Sequence, residues 1–204
     1  MINISDFIEN FSTFNSNTRL QPWEIINNLD DFLQEKFSNL GEDYIISGDT
    51  AIHKTAVVEQ NVILKGRIIA GENTVIGANA YLRGPVYIGK NVKIGPGSEV
   101  KQSIIFNETA VAHFNYIGNS IIGNGINFEA GSICANHYNE RRNKEISILF
   151  NGKAVRTGSV KFGSLVGDNS RIGANAVLSP GTILGKESIV KRLELIEQLP
   201  LENN

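Results

Sequence analysis

Cysteine is almost absent from this chain of 204 residues, and its single thiol, Cys134, excludes an intrachain disulfide framework. There are only three histidines, one tryptophan (Trp23) and five prolines. Three imidazoles leave little material for a histidine-rich metal site. No apolar run approaches the length that spans a bilayer, and the start MINISDFIEN lacks the basic stretch and apolar segment of a signal peptide, so membrane insertion is not expected and a cytoplasmic location is. Excess charge of one sign is also missing. A formal net charge of −2 gives no electrostatic footprint for nucleic acid or an anionic membrane. No glycine-rich nucleotide loop stands near the N-terminus, which argues against nucleotidyl transfer by this chain.

What is present is a period of six. Ile52, Val58, Leu64, Ala70, Ile76, Leu82, Ile88, Ile94, Val100, Phe106 and Ala112 follow one another at this spacing without a charged residue. An α-helix cannot hold a six-residue stripe on one face, and an ordinary strand alternates every two residues, so the chain must turn a corner once per repeat. This predicts an all-β main domain, a parallel β-helix in which each hexad is one short strand and one corner. The Asn and Gly of IGAN (Ile76–Asn79) and IGKN (Ile88–Asn91) suit corners that need positive φ.

Around this solenoid the pattern divides the chain. Residues 1–46 read as a helical N-terminal cap, with a short helix opening at Ser5 and a longer one from Pro22 to Gly41. They are expected to shield the first coil or to dock another subunit or partner. The β-helix covers 47–190. Its step shortens to five residues twice between Ala112 and Ile122, through Ile117, and continues through Phe128 and Cys134, which is expected to be a buried structural thiol. An insertion at 136–159 carries a hairpin around Asn151-Gly152, and the repeat resumes at Val160. Residues 191–204 read as a short amphipathic helix and tail, stopped near Pro200.

The register slip draws attention to its neighbours. His113 follows Ala112 there, and imidazole exchanges protons near neutrality. Tyr116 and Asn127 suit a hydroxyl-rich substrate, while Arg83 and Lys101 suit a phosphate. Three hexads make one coil of about 18 residues, so Arg83 and Lys101 should stack on one face and His113 should occupy another corner. These groups converge only between subunits, which predicts a symmetric oligomer, a trimer if the symmetry is three-fold. His53 is expected at an exposed corner. His137 stands at the root of the insertion.

The stretch AHFNYIGNSIIGNGINFEAGSICAN, from Ala112 to Asn136, resembles the acetyltransferase domain of the bifunctional glucosamine-1-phosphate acetyltransferase/N-acetylglucosamine-1-phosphate uridyltransferase enzymes. The return KFGSLVGDN is similar to the archaeal sugar-1-phosphate nucleotidylyltransferase/acetyltransferases. The resemblance covers residues 47–190 and implies a left-handed β-helix, a homotrimer and acetyl-CoA as co-substrate, without a tightly bound cofactor. It implies His113 as general base toward an amino sugar phosphate or nucleotide sugar. Arg83, Lys101 and Lys161 would grip the phosphate, and Tyr116 and Asn127 would orient the sugar. Ala130, Asn136, His137 and Ala174 would line the acetyl-CoA channel. Two features depart from the family: His137 replaces a tyrosine, and Glu129 replaces the first glycine of a GAG motif. A non-catalytic scaffold or sugar-phosphate-binding regulator is the rival reading. Acyl transfer to a lipid-A-type nucleotide sugar from an acyl carrier protein is another, and the zinc carbonic anhydrases of the same fold lack support because Gly118 stands where their second histidine belongs.

Overall fold

The computed structural model describes residues 1–14 and 19–199. A triangular solenoid of short parallel strands fills the chain beyond residue 49. One face stacks Thr50–His53, Ile68–Ala70, the second half of Tyr81–Ile88, the second half of Glu99–Ile105, Ile121–Ile122, Ser164–Val166 and Thr182–Leu184. A second face is a sheet of seven strands, from Val57–Val58 to Ile189–Val190. The third runs from Ile63–Lys65 through Tyr116–Gly118 to Leu195–Ile196.

Inside, the stripe forms a continuous column of buried Ile, Val and Leu, with Phe128 and Cys134 fully enclosed. Each residue buried there removes apolar surface from water at about 25 cal/mol per Å². Positive φ at Asn61, Asn79, Asn91 and Asn175 supplies the corners, because asparagine tolerates the left-handed region better than most side chains.

One of the two short steps lies where the sequence suggests, and the other lies a coil earlier. The inward column runs Val100, Ile105, Val111, Ile117, Ile122, Phe128 and Cys134, so the five-residue steps are Val100 to Ile105 and Ile117 to Ile122. Phe106 points outward against Phe11, Phe14 and Tyr87. Both short steps fall at one corner, where the third face passes to the first. There the register loses one residue, Arg83 pairing with Lys101 while Val86 pairs with Ser103. The insertion leaves the solenoid at the same corner: Ile121 pairs with Leu165, 44 residues on, whereas other coils repeat every 17 or 18.

The N-terminal cap departs from its expected position over the first coil. It consists of a 3-10 turn at Ile4–Asp6 and helices α1 (Phe11–Phe14), α2 (Pro22–Asn27) and α3 (Leu29–Ser38), laid along the first face. That face carries an outward apolar stripe, Ile69, Tyr87, Ile104, Ile121, Leu165 and Ile183, which packs against Ile8, Trp23, Ile25 and Leu33. Pro22 begins α2, where its missing N–H costs nothing, and Gln21 and Glu24 form a reciprocal capping box. The expected single helix to Gly41 breaks at Asn28. A hairpin strand, Tyr44–Ser47, pairs antiparallel with Thr50–His53, leaving His53 partly buried on a strand against Tyr44 instead of on an exposed corner.

Two further expectations fail. Val160 is exposed, and the solenoid resumes at Ser164–Val166. The expected C-terminal helix is absent from the described part of 191–204, because Leu195–Ile196 adds one more strand to the third face; Pro200 and the tail beyond it lie outside the described residues. The insertion hairpin forms, Ser147–Phe150 pairing with Lys153–Arg156 through positive φ at Asn151 and Gly152. Among the described residues no helix is long and apolar enough to cross a membrane.

Candidate functional site

Two corners flank the third face, and each gathers one part of the expected site. The irregular corner collects cations. Arg83 and Lys101 are register partners on adjacent coils, as the repeat length requires. Lys161 returns from the insertion close enough to act electrostatically on Lys101. Burial, and then repulsion from Lys161 and Arg83, pushes the Lys101 ammonium below its ordinary range. Three cations face one another here with one carboxylate among them, Glu99, which accepts a 2.8 Å hydrogen bond from Arg83.

Tyr116 lies directly beneath Glu99 in the next coil. Its ring crosses Gly118, where a Cβ would fall 2.6 Å from Tyr116 Oη, so only glycine leaves room for it. Burial and Glu99 raise the phenol above its ordinary pKa. Asn136 is buried and donates to Asn119 Oδ1 at 2.6 Å, while His137 Nδ1 lies 3.3 Å from Asn136 Oδ1. Asn136 also acts on the Tyr116 phenol, against the effect of burial, so it belongs to this corner.

The opposite corner aligns the remaining residues. Gly131 N–H donates to the carbonyl of His113, Asn175 N–H to that of Ala130, and Leu193 N–H to that of Ala174. His113, Ala130, Ala174 and Arg192 therefore occupy one column on successive coils. The His113 side chain is exposed, its ring edge-on to Phe114 at 5.7 Å between centroids. Phe114 itself is 71% exposed with φ of 58°, an unusual conformation for a bulky residue. In the coil below, Glu129 accepts from Ala174 N–H at 2.9 Å and binds Arg192 through both oxygens.

Asn127 lies apart from Tyr116, on the second face, in a groove of about 530 Å³ shared with Glu129, Arg171 and Arg192. Gly118, the register partner of Lys101, stands five residues after His113, so the strand of the third face lies between the two groups. One chain thus holds a cation cluster and a solvent-facing imidazole on different corners. Glu99 and Asn119 escaped the sequence reading; stepping one coil back from Tyr116 and Asn136 lands on them. Among the described residues no group of three His, Cys, Asp or Glu side chains is placed to hold a metal ion.

Comparison with known proteins matches residues 64–138 to the GMPPB C-terminal domain and residues 165–191 to the hexapeptide repeat of succinyl-transferase. The chain is 33% identical over 181 residues to a Methanococcus maripaludis protein named bifunctional protein GlmU, an alignment covering 87% of this chain and 43% of that one. A second strain's GlmU is 39% identical over 173 residues, 83% of this chain and 41% of the relative. A bifunctional sugar-1-phosphate nucleotidylyltransferase/acetyltransferase of Sulfurisphaera tokodaii is 35% identical over 88 residues, covering 43% of this chain and 21% of its own length. The chain spans less than half the length of these relatives.

Proposed function

As a hexapeptide-repeat homologue of the GlmU and sugar-1-phosphate nucleotidylyltransferase/acetyltransferase proteins, this chain, we propose, transfers an acetyl group from acetyl-CoA to the amine of an amino sugar phosphate or nucleotide sugar. The observation that carries the reading is the convergence of Arg83, Lys101 and Lys161 on one irregular corner. Three like charges repel, and Lys101 is partly desolvated besides. A phosphate relieves both penalties, the guanidinium offering paired donors and the ammonium groups point charges.

In the proposed reaction the sugar amine attacks the thioester carbonyl carbon while His113 takes its proton. The tetrahedral adduct collapses with cleavage of the carbon–sulfur bond, and the imidazolium returns the proton to the leaving thiolate, releasing CoA and the N-acetyl sugar. Tyr116 and Asn136 orient the sugar from the cation corner. The column of Ala130 and Ala174, with Arg192 below, carries the pantetheine arm and its anionic end, and His137, beside Asn136 on the cation corner, meets that arm only across the subunit interface.

Because His113 and Lys101 occupy different corners, the site closes when the His113 corner of one copy faces the Lys101 corner of the next. We therefore assign the active assembly to a homotrimer with three interfacial sites, and place its reaction in the cytoplasm, where acetyl-CoA is made. Asn127 joins the sugar contacts only across such an interface. The proposal extends to acyl transfer and not to nucleotidyl transfer.

The test is thiol release from acetyl-CoA with glucosamine-1-phosphate. Turnover is expected in the wild type and a loss of at least about 100-fold in His113→Ala, the usual scale for a general base. Undiminished turnover in that variant removes His113 from the mechanism. Binding of the sugar phosphate without thiol release would make the chain a sugar-phosphate binder.

A further inference from the structure

A second cavity lies between α3 and the outward side of the first face. Its volume is about 400 Å³, within the range that holds small organic ligands. The walls are aromatic: Phe14, Phe32, Tyr44 and Tyr87 line it, and Lys36 and Asn39 of the α3 end stand at its rim. Phe14 meets Tyr87 edge-on at 4.8 Å, fixing one side.

Of the polar groups here, Asn39 donates to the Glu35 carbonyl at 2.8 Å, while Lys36 meets only an aromatic face. Lys36 Nζ sits 4.8 Å from the centre of the Phe14 ring, and among the described residues no carboxylate forms an ion pair with it. Burial holds that ammonium below its ordinary pKa. Tyr44 and Tyr87 both line the cavity and neither hydroxyl has a hydrogen-bond partner among the described residues; the two phenols act on each other, and Tyr44 also feels Lys90, Glu72 and Asp43 of the adjoining groove. An ammonium and two phenols within one aromatic enclosure recognise an anion attached to a flat ring. Glu35, beside Lys36, acts on it electrostatically and disfavours a second negative charge. A monoanion meets less of that repulsion than a phosphate dianion does.

We propose that this cavity is a binding site for a small aromatic carboxylate, its ring seated among Phe14, Phe32 and Tyr87 and its carboxylate accepting hydrogen bonds from Lys36 and the tyrosine hydroxyls. The site is independent of acyl transfer. It uses no residue of either corner.

Fluorine NMR titration of the full chain with 4-fluorobenzoate tests it. Saturable binding with a Kd of about 1 mM or tighter is expected for a ligand of this size. Lys36→Met, which keeps the stem and removes the charge, should weaken it at least about tenfold, and Tyr87→Phe about threefold, the scales of a charged and a neutral hydrogen bond. 4-Fluorotoluene, a ring without charge, should bind at least about tenfold more weakly, and His113→Ala should bind 4-fluorobenzoate as the wild type does. Absence of saturation up to 20-fold above the expected Kd overturns the proposal. So does binding that Tyr87→Phe and a folded Lys36→Met both leave unchanged.

Discussion

Glu129 holds Arg192 with both carboxylate oxygens, at 2.7 and 2.8 Å, across 63 residues of chain and two turns of the solenoid. The same carboxylate accepts the Ala174 amide, so one side chain occupies two positive groups of the column assigned to acetyl-CoA. Arg192, and then the Ala174 amide, keep the Glu129 carboxyl below the usual range.

If that column binds the anionic co-substrate, the carboxylate competes with it. Glu129→Gln should lower KM for acetyl-CoA by about two- to fivefold with kcat unchanged, since uniform binding is what changes. An exposed pair contributes little stability, so the melting temperature should move by less than about 3 °C. A raised KM would instead make Glu129 a support for Arg192.

Lys101 gives a pH dependence. Only the protonated ammonium attracts phosphate, and burial with two cationic neighbours lets its proton leave below the ordinary lysine value of 10.5. Rising pH therefore removes a binding charge early. The ratio kcat/KM for the sugar phosphate, which reports the free enzyme, should fall on an alkaline limb whose apparent pKa lies below 10.5, and Lys101→Arg should shift that limb upward. A limb unmoved by this substitution assigns it to another group.

Gly118→Ala probes Tyr116 without touching it. The new methyl would fall within 2.8 Å of the phenol ring, whose far end can swing away. The fold should persist, while KM for the sugar rises about tenfold, equivalent to about 1.4 kcal/mol of lost binding. Unchanged KM would show that the position of this ring is immaterial to the sugar.

Cys134 should be inert. Desolvation in the core pushes its thiol up to about 12, leaving almost no thiolate at neutral pH. A colorimetric disulfide reagent at pH 8 should titrate no thiol in the native chain and one equivalent in denaturant. Rapid native reaction would mean that this coil opens.

Asp168 ties the cap to the solenoid. Its buried carboxylate accepts from Glu9 N–H at 2.7 Å and Asn124 N–H at 2.7 Å, and its own amide donates to the Phe7 carbonyl. Asp168→Ala strands these donors and should cost about 2–3 kcal/mol in urea unfolding. A loss under about 0.5 kcal/mol would show that water replaces the carboxylate.

The solenoid was legible because its inward residues recur every six positions, and one coil of 18 residues correctly stacked Arg83 on Lys101. The step from Ile117 to Ile122 was legible, but the other short step was misplaced because Ile104, Ile105 and Phe106 are consecutive apolar residues, and residue type alone does not tell the inward one from two that face the cap. The same ambiguity concealed the cap's position, since Ile69, Tyr87, Ile121 and Leu165 each adjoin an inward residue. At the C-terminus, Leu193 and Ile196 have helical spacing, yet Ile196 also stands six residues after Val190, and strand pairing with Leu178 prevails. The separate placement of Asn127 was within reach, because Phe128 stands two inward steps after Ile117 and the repeat therefore sets Asn127 on a different face from Tyr116.

The cap's course along the solenoid changes how the fold should come apart. Stacked coils that touch only their neighbours unzip from the ends, each coil with its own local stability. Here Asp30 grips Arg67 near the start, the Ile26 carbonyl receives Gln102 in the middle, and Phe7 is held by Asp168 farther on. Opening any one of these coils strains a splint shared by the others. The array gives up its one-dimensional independence, and amide exchange should report a single cooperative block from about residue 67 to residue 168 where an uncapped solenoid would show a gradient.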